Sequence, residues 1–225
     1  MSANVETMPT APPLDIPLSP LVTAPVADVL GAIAPALPQP ISWAETRRRM
    51  AVDRQRIGET LSMMPGQRPR LLLLHPCYLC LWLHRLAHYF FTRRNFLAAR
   101  FFWHLDLFLT GADISPMSDL GGGLFISHPS GIGLIGKMGE GCTMHAQSGC
   151  GGGSGLVTDI GAGPGLPVLG DGVVLEPGAM VMGPIRLGNR VIVGARCFVA
   201  KSLPDDAVVV PLEPRVLIQD NPSRA

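Results

Sequence analysis

Apolar residues recur at every sixth position over much of the C-terminal half of the chain. One series is aliphatic throughout and comprises Leu169, Leu175, Val181, Leu187, Val193 and Val199. An earlier series with the same spacing comprises Ile114, Leu120, Ile126, Ile132, Met138 and Met144. A period of six matches neither the helix, at 3.6 residues, nor the flat strand, at 2. It is typical of a solenoid whose coils have three short flat faces, with about six residues per face.

A second set of positions, four residues after each member of the first, is mostly small or apolar. It comprises Ser118, Leu124, Ser130, Gly136, Cys142, Ser148, Val173, Ala179, Ile185, Val191, Cys197 and Leu203. Glycine, which turns between faces favour, is frequent over residues 170–194, where Asp171 and Asn189 are further turn formers. The alternative is a strand-rich domain with chance spacing, which an unbroken series in a 47% hydrophobic chain disfavours. We therefore predict a β-helix of hexapeptide repeats over residues 112–210.

The six-residue count is interrupted once, between Met144 and Leu169, which are 25 positions apart. The segment between them is rich in glycine, and we predict that residues 145–168 loop out of one corner of the solenoid. Glycine at this density is typical of a mobile loop or of backbone that approaches a ligand closely. A plain linker is the alternative.

Residues 41–111 are predicted to form a helical domain. Ser42 and Glu45 have the spacing of a capping box at the start of a first helix, which runs to about Ser62. A strongly apolar second helix is predicted over 71–91, and a third over 96–109. Polar residues and a proline interrupt the apolar stretch, so a soluble helix is favoured over a membrane hairpin.

The two ends of the chain carry fewer signals. Residues 1–40 are rich in Pro, Ala and Val and contain no Lys or Arg, so we expect a mostly disordered arm. Residues 211–225 are expected to be a C-terminal tail. No basic segment followed by an apolar core is found at the start, so no signal peptide is predicted and a cytoplasmic location is expected.

Charge and cysteine usage exclude several classes of function. A net charge of +1 gives no broad electrostatic case for nucleic acid or a membrane surface. The three consecutive arginines, Arg47, Arg48 and Arg49, are interpreted as a solvated helix face. The five cysteines have neither a paired framework nor metal-site spacing, which favours a reduced chain without a metal.

Four short motifs carry a family resemblance. Asp113-Ile-Ser-Pro follows a predicted helix and turn, and Ser127-His128-Pro-Ser-Gly131 places its His fifteen residues after that Asp. The segment His84-Arg85-Leu-Ala-His88 lies upstream, and Val193-Gly-Ala-Arg-Cys-Phe-Val-Ala-Lys-Ser-Leu-Pro204 lies downstream. Together they resemble the serine O-acetyltransferases, over about residues 42–217.

The resemblance implies an α+β chain, in which a helical N-terminal domain precedes a left-handed parallel β-helix with one extruded Gly-rich loop. It also implies a trimer, often paired into a hexamer. Acetyl-CoA, the implied co-substrate, would lie along a groove between neighbouring solenoids, beside the looped-out segment. The resemblance assigns contacts with CoA to Gly152, Gly178, Ala195 and Lys201, and it assigns no metal.

His128 and Asp113 suit this chemistry on their own terms. Acetyl transfer to a hydroxyl needs a base within hydrogen-bond reach, and neutral His is suited to that role near pH 7. A carboxylate on the other ring nitrogen fixes the tautomer and stabilises the imidazolium. We therefore predict His128 as general base and Asp113 as its orienting partner. For His128 taken alone, a structural role is the alternative.

The positions through which the resembled family contacts serine differ here. The family's Asp before the catalytic His is replaced here by Ser127. The family's Arg-His pair at the end of the loop is replaced by Gly165-Leu166. Asp53 is a further expected substrate contact. His145 is expected to replace the missing His in part, with a solvated loop histidine as its alternative. Loss of an Arg that pairs with a carboxylate commonly costs about a few kcal/mol, so free serine is in doubt as the acceptor.

Three functions stay open on the sequence alone. The first is acetyl-CoA-dependent O-acetylation of serine or a serine-like hydroxyl, including one whose carboxylate is masked as an ester, amide or carrier thioester, with a place in cysteine biosynthesis. The second is acyl transfer to another small alcohol or amine. The third is a non-catalytic solenoid that binds CoA or a partner such as a sulfhydrylase, although the final residues Asn221–Ala225 lack the terminal Ile that the family uses for that partner.

Overall fold

The computed structural model describes residues 38–63, 69–153, 155 and 157–213. Most of the predicted N-terminal arm and most of the predicted C-terminal tail lie outside these ranges. Within them, three α-helices and one 3-10 helix precede fourteen short strands. The predicted order of a helical domain followed by repeats is confirmed.

The helical domain begins with α1 (Trp43–Ser62), which the Ser42 hydroxyl caps by accepting from the Glu45 backbone N at 3.0 Å. A 3-10 helix (Pro69–Leu74), α2 (Pro76–Thr92) and α3 (Phe96–Thr110) follow. The apolar stretch predicted as one helix is therefore divided at Pro76. Proline has no N–H and its ring obstructs the preceding turn, so it begins a helix more readily than it continues one. Among the described residues, no helix has the length and apolar character needed to cross a membrane.

The repeats form three parallel sheets. Each coil adds one strand to each sheet, except that the fifth coil adds none to sheet B in the described residues. Sheet A contains β1 (Asp113–Ile114), β4 (Gly133–Leu134), β7 (Gly149–Gly151), β10 (Met180–Met182) and β13 (Phe198–Val199). Sheet B contains β2 (Asp119–Leu120), β5 (Lys137–Met138), β8 (Val168–Leu169) and β11 (Arg186–Leu187). Sheet C contains β3 (Phe125–Ile126), β6 (Thr143–Met144), β9 (Val174–Leu175), β12 (Ile192–Val193) and β14 (Val208–Val209). This cyclic order is that of a parallel β-helix.

The axis of the β-helix is filled by the aliphatic residues of the six-residue series. Leu120, Ile126 and Leu175 are fully buried, and the residue preceding each of them faces outward. Burial of one such side chain stabilises the fold by about 1.5–3 kcal/mol, so every coil contributes to the core. The period of six is confirmed as the spacing between faces.

The second coil departs from that count. Leu134, and not Ile132, is the residue in register with Ile114 in sheet A. The expectation of a single interruption was therefore wrong, because the turn before Leu134 is two residues longer than the repeat and the turn after it is two residues shorter. Ile132 is also buried, at a corner of the coil, so hydrophobic spacing could not separate the two positions.

The third coil contains the glycine-rich insertion, but the insertion is shorter than predicted. Gly149–Gly151 still form a strand of sheet A, since Ser148 and Cys150 are small enough to occupy the inward positions. Lys137 then pairs with Val168, which is 31 positions later instead of the usual 18. The departure from the coil is therefore confined to residues 152–167.

A buried ion pair fastens the helical domain to the first coil. Arg85 Nε donates to Asp53 Oδ2 at 3.0 Å, and the two side chains are 2% and 1% exposed. Asp53 Oδ1 also accepts from the backbone N of Gly123, at 2.7 Å, and of Leu124, at 3.2 Å. Asp53 is thus inaccessible and fully engaged, which differs from its expected contact with substrate and gives it a structural role.

The consecutive arginines do not all face solvent as expected. Arg47 is exposed, but Arg48 forms an ion pair with Glu140 of the β-helix at 2.8 Å. Arg49 is largely buried and donates to Asp119 Oδ1 at 2.7 Å. The positively charged face of α1 therefore binds the first two coils of the β-helix.

Candidate active site

An open groove lies over sheet A, with Asp113 at its head. The outward-facing residues in register down this sheet are Asp113, Gly133, Gly149, Met180 and Phe198. A Cβ added at Gly133 would meet no atom within 4 Å, so bare backbone lies next to Asp113. The groove, of about 360 Å³, is also lined by Trp103, Gly152 and Met182. We call it the sheet A groove.

Asp113 is held by a residue that the sequence did not indicate. Trp103, on α3, donates its indole N–H to Asp113 Oδ1 at 2.9 Å. The helix can turn back toward sheet A because Gly111 ends it with φ of 75°, a left-handed conformation that favours glycine. One carboxylate oxygen of Asp113 is thus oriented, and the other has no partner within the described chain.

His128 stands on the lengthened turn that leads from sheet C into sheet A. It is exposed, and the turn is anchored where Gly131 N donates to Gly111 O at 3.1 Å. Because this turn enters β4, which pairs with β1, it lies next to Asp113. No hydrogen bond or ion pair joins the His128 and Asp113 side chains in this part of the described structure, so their pairing stays a prediction.

Ser127 and His145 lie together at the same corner. Ile126 pairs with Met144 and Ser127 N donates to Met144 O at 3.0 Å, so the next step of the register places Ser127 beside His145. The Ser127 hydroxyl is buried and has no hydrogen-bond partner among the residues described. His145 belongs to the coil beneath the His128 turn, and not to the insertion where it was expected.

The residues assigned to CoA divide between the two margins of sheet A. Gly178 and Ala195 lie on the turns from sheet C to sheet A in the next two coils, below His145. Gly178 has φ of 72° and donates to Ala146 O at 2.9 Å. Gly152 and Lys201 follow strands β7 and β13 on the opposite margin. Within one chain these four residues therefore do not form a single cluster.

Leu166 is buried and offers little apolar surface to a substrate. Its side chain is buried at the base of the insertion, with Cδ2 3.5 Å from the position of a Cβ at Gly152. An apolar side chain on a glycine-rich segment packs inward where a charged one would extend into solvent. No group of three or more His, Cys, Asp or Glu side chains suited to a metal is found in the described ranges.

Comparison with known sequences gives the following matches. Residues 167–201 match the family model described as bacterial transferase hexapeptide (six repeats). The chain is 36% identical to a serine acetyltransferase of Mycobacterium tuberculosis over 155 residues, which are 68% of this chain and 66% of that protein. It is 35% identical to one of Helicobacter pylori over 152 residues, which are 67% of this chain and 86% of that protein.

Solved structures show the same fold. A serine acetyltransferase isoform from Entamoeba histolytica in complex with cysteine has a TM-score of 0.67 at 23% identity, over 81% of this chain and 64% of that chain. The soybean enzyme complexed with serine has a TM-score of 0.64 at 23% identity, over 77% and 70%. The chain spans 66% and 59% of the Mycobacterium tuberculosis and Synechococcus elongatus relatives that it matches.

Proposed function

Because the chain belongs to the serine acetyltransferase family, we propose that it transfers an acetyl group from acetyl-CoA to the hydroxyl of serine or of a serine-like acceptor. One observation carries the proposal: Asp113 heads an open groove of about 360 Å³, and the turn that bears His128 adjoins it. The bare backbone at Gly133 leaves room for an acyl group next to that carboxylate.

In the proposed reaction, His128 takes the proton of the acceptor hydroxyl as its oxygen attacks the thioester carbonyl. The new C–O bond forms, the C–S bond breaks, and the imidazolium returns its proton to the leaving thiolate. The Asp113 oxygen that does not accept from Trp103 would accept from the other ring nitrogen of His128. It would thereby stabilise the positive charge of the imidazolium. A correctly placed base contributes about 10²–10⁴ in rate.

We further propose that the working unit is a trimer of left-handed β-helices, or a hexamer of paired trimers. The residues assigned to CoA lie on both margins of sheet A, which fits a groove that one subunit begins and its neighbour completes. The exposed face of α3 also carries Leu97, Phe101 and Phe108, which are 84%, 61% and 86% exposed. Apolar surface of this kind is typical of a subunit contact.

The acceptor is proposed to carry a neutral group in place of a free carboxylate. Among the described residues that line the sheet A groove there is no Lys or Arg. Gly165 and the buried Leu166 stand where the family places its Arg-His pair. A free carboxylate would lose its hydration without gaining a charged partner, whereas an ester, amide or carrier thioester would avoid that cost.

The test is a thiol-release assay with acetyl-CoA, comparing L-serine, its methyl ester, its amide, homoserine and threonine. We expect the ester or amide to exceed free serine in kcat/KM by about 10- to 150-fold, the worth of a hydrogen bond to a charged group. A clear advantage for free serine would refute the masked carboxylate and would indicate an arginine from a neighbouring subunit. Thiol release with none of the acceptors would refute the proposed activity in favour of acyl transfer to another acceptor or a non-catalytic role.

A further inference from the structure

The floor of the sheet A groove carries two rows of outward-facing positions, and glycine occupies three of the central ones. From β1 to β10, one row is Asp113, Gly133, Gly149 and Met180, and the other is Ser115, Ile135, Gly151 and Met182. Polar side chains therefore stand at the β1 end of the groove, and methionines stand at the β10 end. Such a groove suits a ligand that has a polar reacting end and an apolar tail.

We propose that the sheet A groove holds the chain of an acyl-CoA donor whose acyl group is longer than acetyl. The inference rests on the proposed function, since it concerns the donor of the same transfer. A longer chain differs from acetyl only beyond the carbonyl carbon, so the same C–O bond forms and the same C–S bond breaks. The groove would add a selection among donors by chain length.

Gly133 is the open part of the floor, next to Asp113. A Cβ added there would meet no atom within 4 Å, and its backbone does not have the left-handed conformation that favours glycine. Gly149 differs, because a Cβ there would lie 2.8 Å from the Gly133 carbonyl oxygen. Folding thus requires a glycine at 149 but not at 133. The space above Gly133 is therefore available to a ligand.

Two methionines form the far end of the groove. Met180 Sδ lies 3.3 Å from the position of a Cβ at Gly149, and Met182 Cε lies 3.2 Å from that of a Cβ at Gly153. Methionine has three rotatable bonds and adapts its shape to an apolar ligand. Asp113 and Gly149 are two strand spacings apart, which is about 10 Å. At about 1.5 Å per carbon–carbon bond, this length holds a chain of about six carbons.

The lining suits an acyl chain better than it suits a serine-like acceptor. Asp113 and Ser115 carry the only side-chain oxygen atoms among the described residues that line the groove. Trp103 already donates to one Asp113 oxygen, and the Met117 backbone N donates to Ser115 Oγ at 3.3 Å. The hydroxyl and amino groups of an acceptor would need further partners once buried, whereas an acyl chain has no polar atom beyond its carbonyl.

The experiment compares acetyl-, propionyl-, butyryl-, hexanoyl- and decanoyl-CoA as donors in the thiol-release assay, at a fixed concentration of serine methyl ester. Burial of each further CH₂ should raise kcat/KM about fourfold, so butyryl-CoA should exceed acetyl-CoA by about 15-fold. The gain should end at about six carbons, where the floor of the groove ends. Isothermal titration calorimetry with the same thioesters should give the same order of affinities without requiring turnover.

Two variants alter the groove in opposite directions. Gly133→Val fills the floor and should lower the butyryl-to-acetyl ratio of kcat/KM by about tenfold or more. Met180→Ala lengthens the groove and should move the optimum toward longer chains. Ile192→Ala is the matched control, because Ile192 is an outward-facing apolar residue of sheet C. It should leave the ratio unchanged, and thermal melts would verify that all three variants fold.

The outcomes separate this inference from the proposed function. Thiol release that is fastest with acetyl-CoA would overturn the inference and leave the proposed function standing. Thiol release with no donor would count against the proposed function, and calorimetry would still support the inference if butyryl-CoA bound more tightly than acetyl-CoA. Equal affinities would overturn it. So would a Gly133→Val variant with a changed oligomeric state and a wild-type ratio, because a neighbouring subunit would then fill the groove.

Discussion

Asp106, on α3, is a buried carboxyl group whose ionisation should make the protein less stable as pH rises. It is fully buried, and its Oδ1 accepts from Thr110 Oγ1 at 2.8 Å while Oδ2 has no partner in the described structure. Burial raises the pKa of Asp106 from 3.8 to about 7, opposed by the Thr110 hydrogen bond and assisted by the charge of Asp113. The protonated form is therefore the one that the fold accommodates.

The sign and size of the effect follow from linkage. A carboxyl with a higher pKa in the folded state binds more protons when folded, so its contribution to stability falls as pH rises between the two pKa values. At 1.36 kcal/mol per pKa unit, a rise in pKa from 3.8 to about 7 lowers the free energy of unfolding by about 4 kcal/mol once Asp106 is fully ionised. Of this, about 2.6 kcal/mol is lost between pH 5 and pH 8.

Asp106→Asn removes the titrating group and keeps the shape of the protonated side chain. The stability of this variant relative to wild type should therefore increase by about 2.6 kcal/mol from pH 5 to pH 8, or by about 5–10 °C in relative Tm. Urea unfolding and thermal melts at fixed protein concentration measure this difference directly. Comparison with wild type at each pH cancels the opposite trend of Asp119, whose pKa is lowered.

Glu59→Gln provides the matched control, since Glu59 is an exposed carboxylate on α1. Its effect on stability should be the same at pH 5 and pH 8. If Asp106→Asn also shifts stability equally at both values, Asp106 is not protonated in the folded protein near neutral pH. The physical account of its burial would then be refuted.

Three further predictions concern the site, the assembly and the buried ion pair. His128→Ala should lower turnover by at least about a hundredfold with CoA binding retained, and Asp113→Asn should lower it less; wild-type thiol release in His128→Ala would support a non-catalytic role. Light scattering should give a trimer or a multiple of three, and a stable monomer at micromolar concentration would contradict this. Arg85→Met should destabilise by about 3–5 kcal/mol, because Asp53 is left buried and unpaired. In urea unfolding, the double variant Arg85→Met, Asp53→Asn should lose less stability than the two single variants lose in sum. Strict additivity of the two losses would count against an interaction between Arg85 and Asp53.

Much of the fold was predictable because its rules are local and repeated. Each coil of the β-helix must bury one aliphatic residue per face, so the six-residue series is visible without knowledge of any contact. The signal for the start of α1 was equally local, since the Ser42 hydroxyl accepts from a backbone N only three residues away. The division of the second helix at Pro76 follows from local chemistry as well, although the predicted helix ran through it.

The candidate site was predictable in its residue types and less so in its geometry. His128 and Asp113 were identified from their spacing, and the structure places the turn that bears His128 next to Asp113 of sheet A, without a hydrogen bond between the two side chains in the described residues. Trp103, which orients Asp113, carried no signal in the sequence, because an aromatic residue on an apolar helix resembles a packing residue. Asp53 was expected to contact substrate, and its structural role was not visible in the sequence because its partner, Arg85, lies on another helix.

The amino-acid sequence by itself determined the architecture: the number of faces, most of the inward residues and the order of helices and repeats. Only the tertiary structure decided which polar groups meet. Asp119 lies beside Lys137 through the register of sheet B, and it meets Arg49 because α1 packs against the β-helix. His88 acquires its tautomer from a carbonyl on the first coil. Burial of apolar residues is additive and nondirectional, so it can be read position by position along the chain. Hydrogen bonds and ion pairs depend on distance and direction between distant segments, and these exist only once the helices have packed on the β-helix.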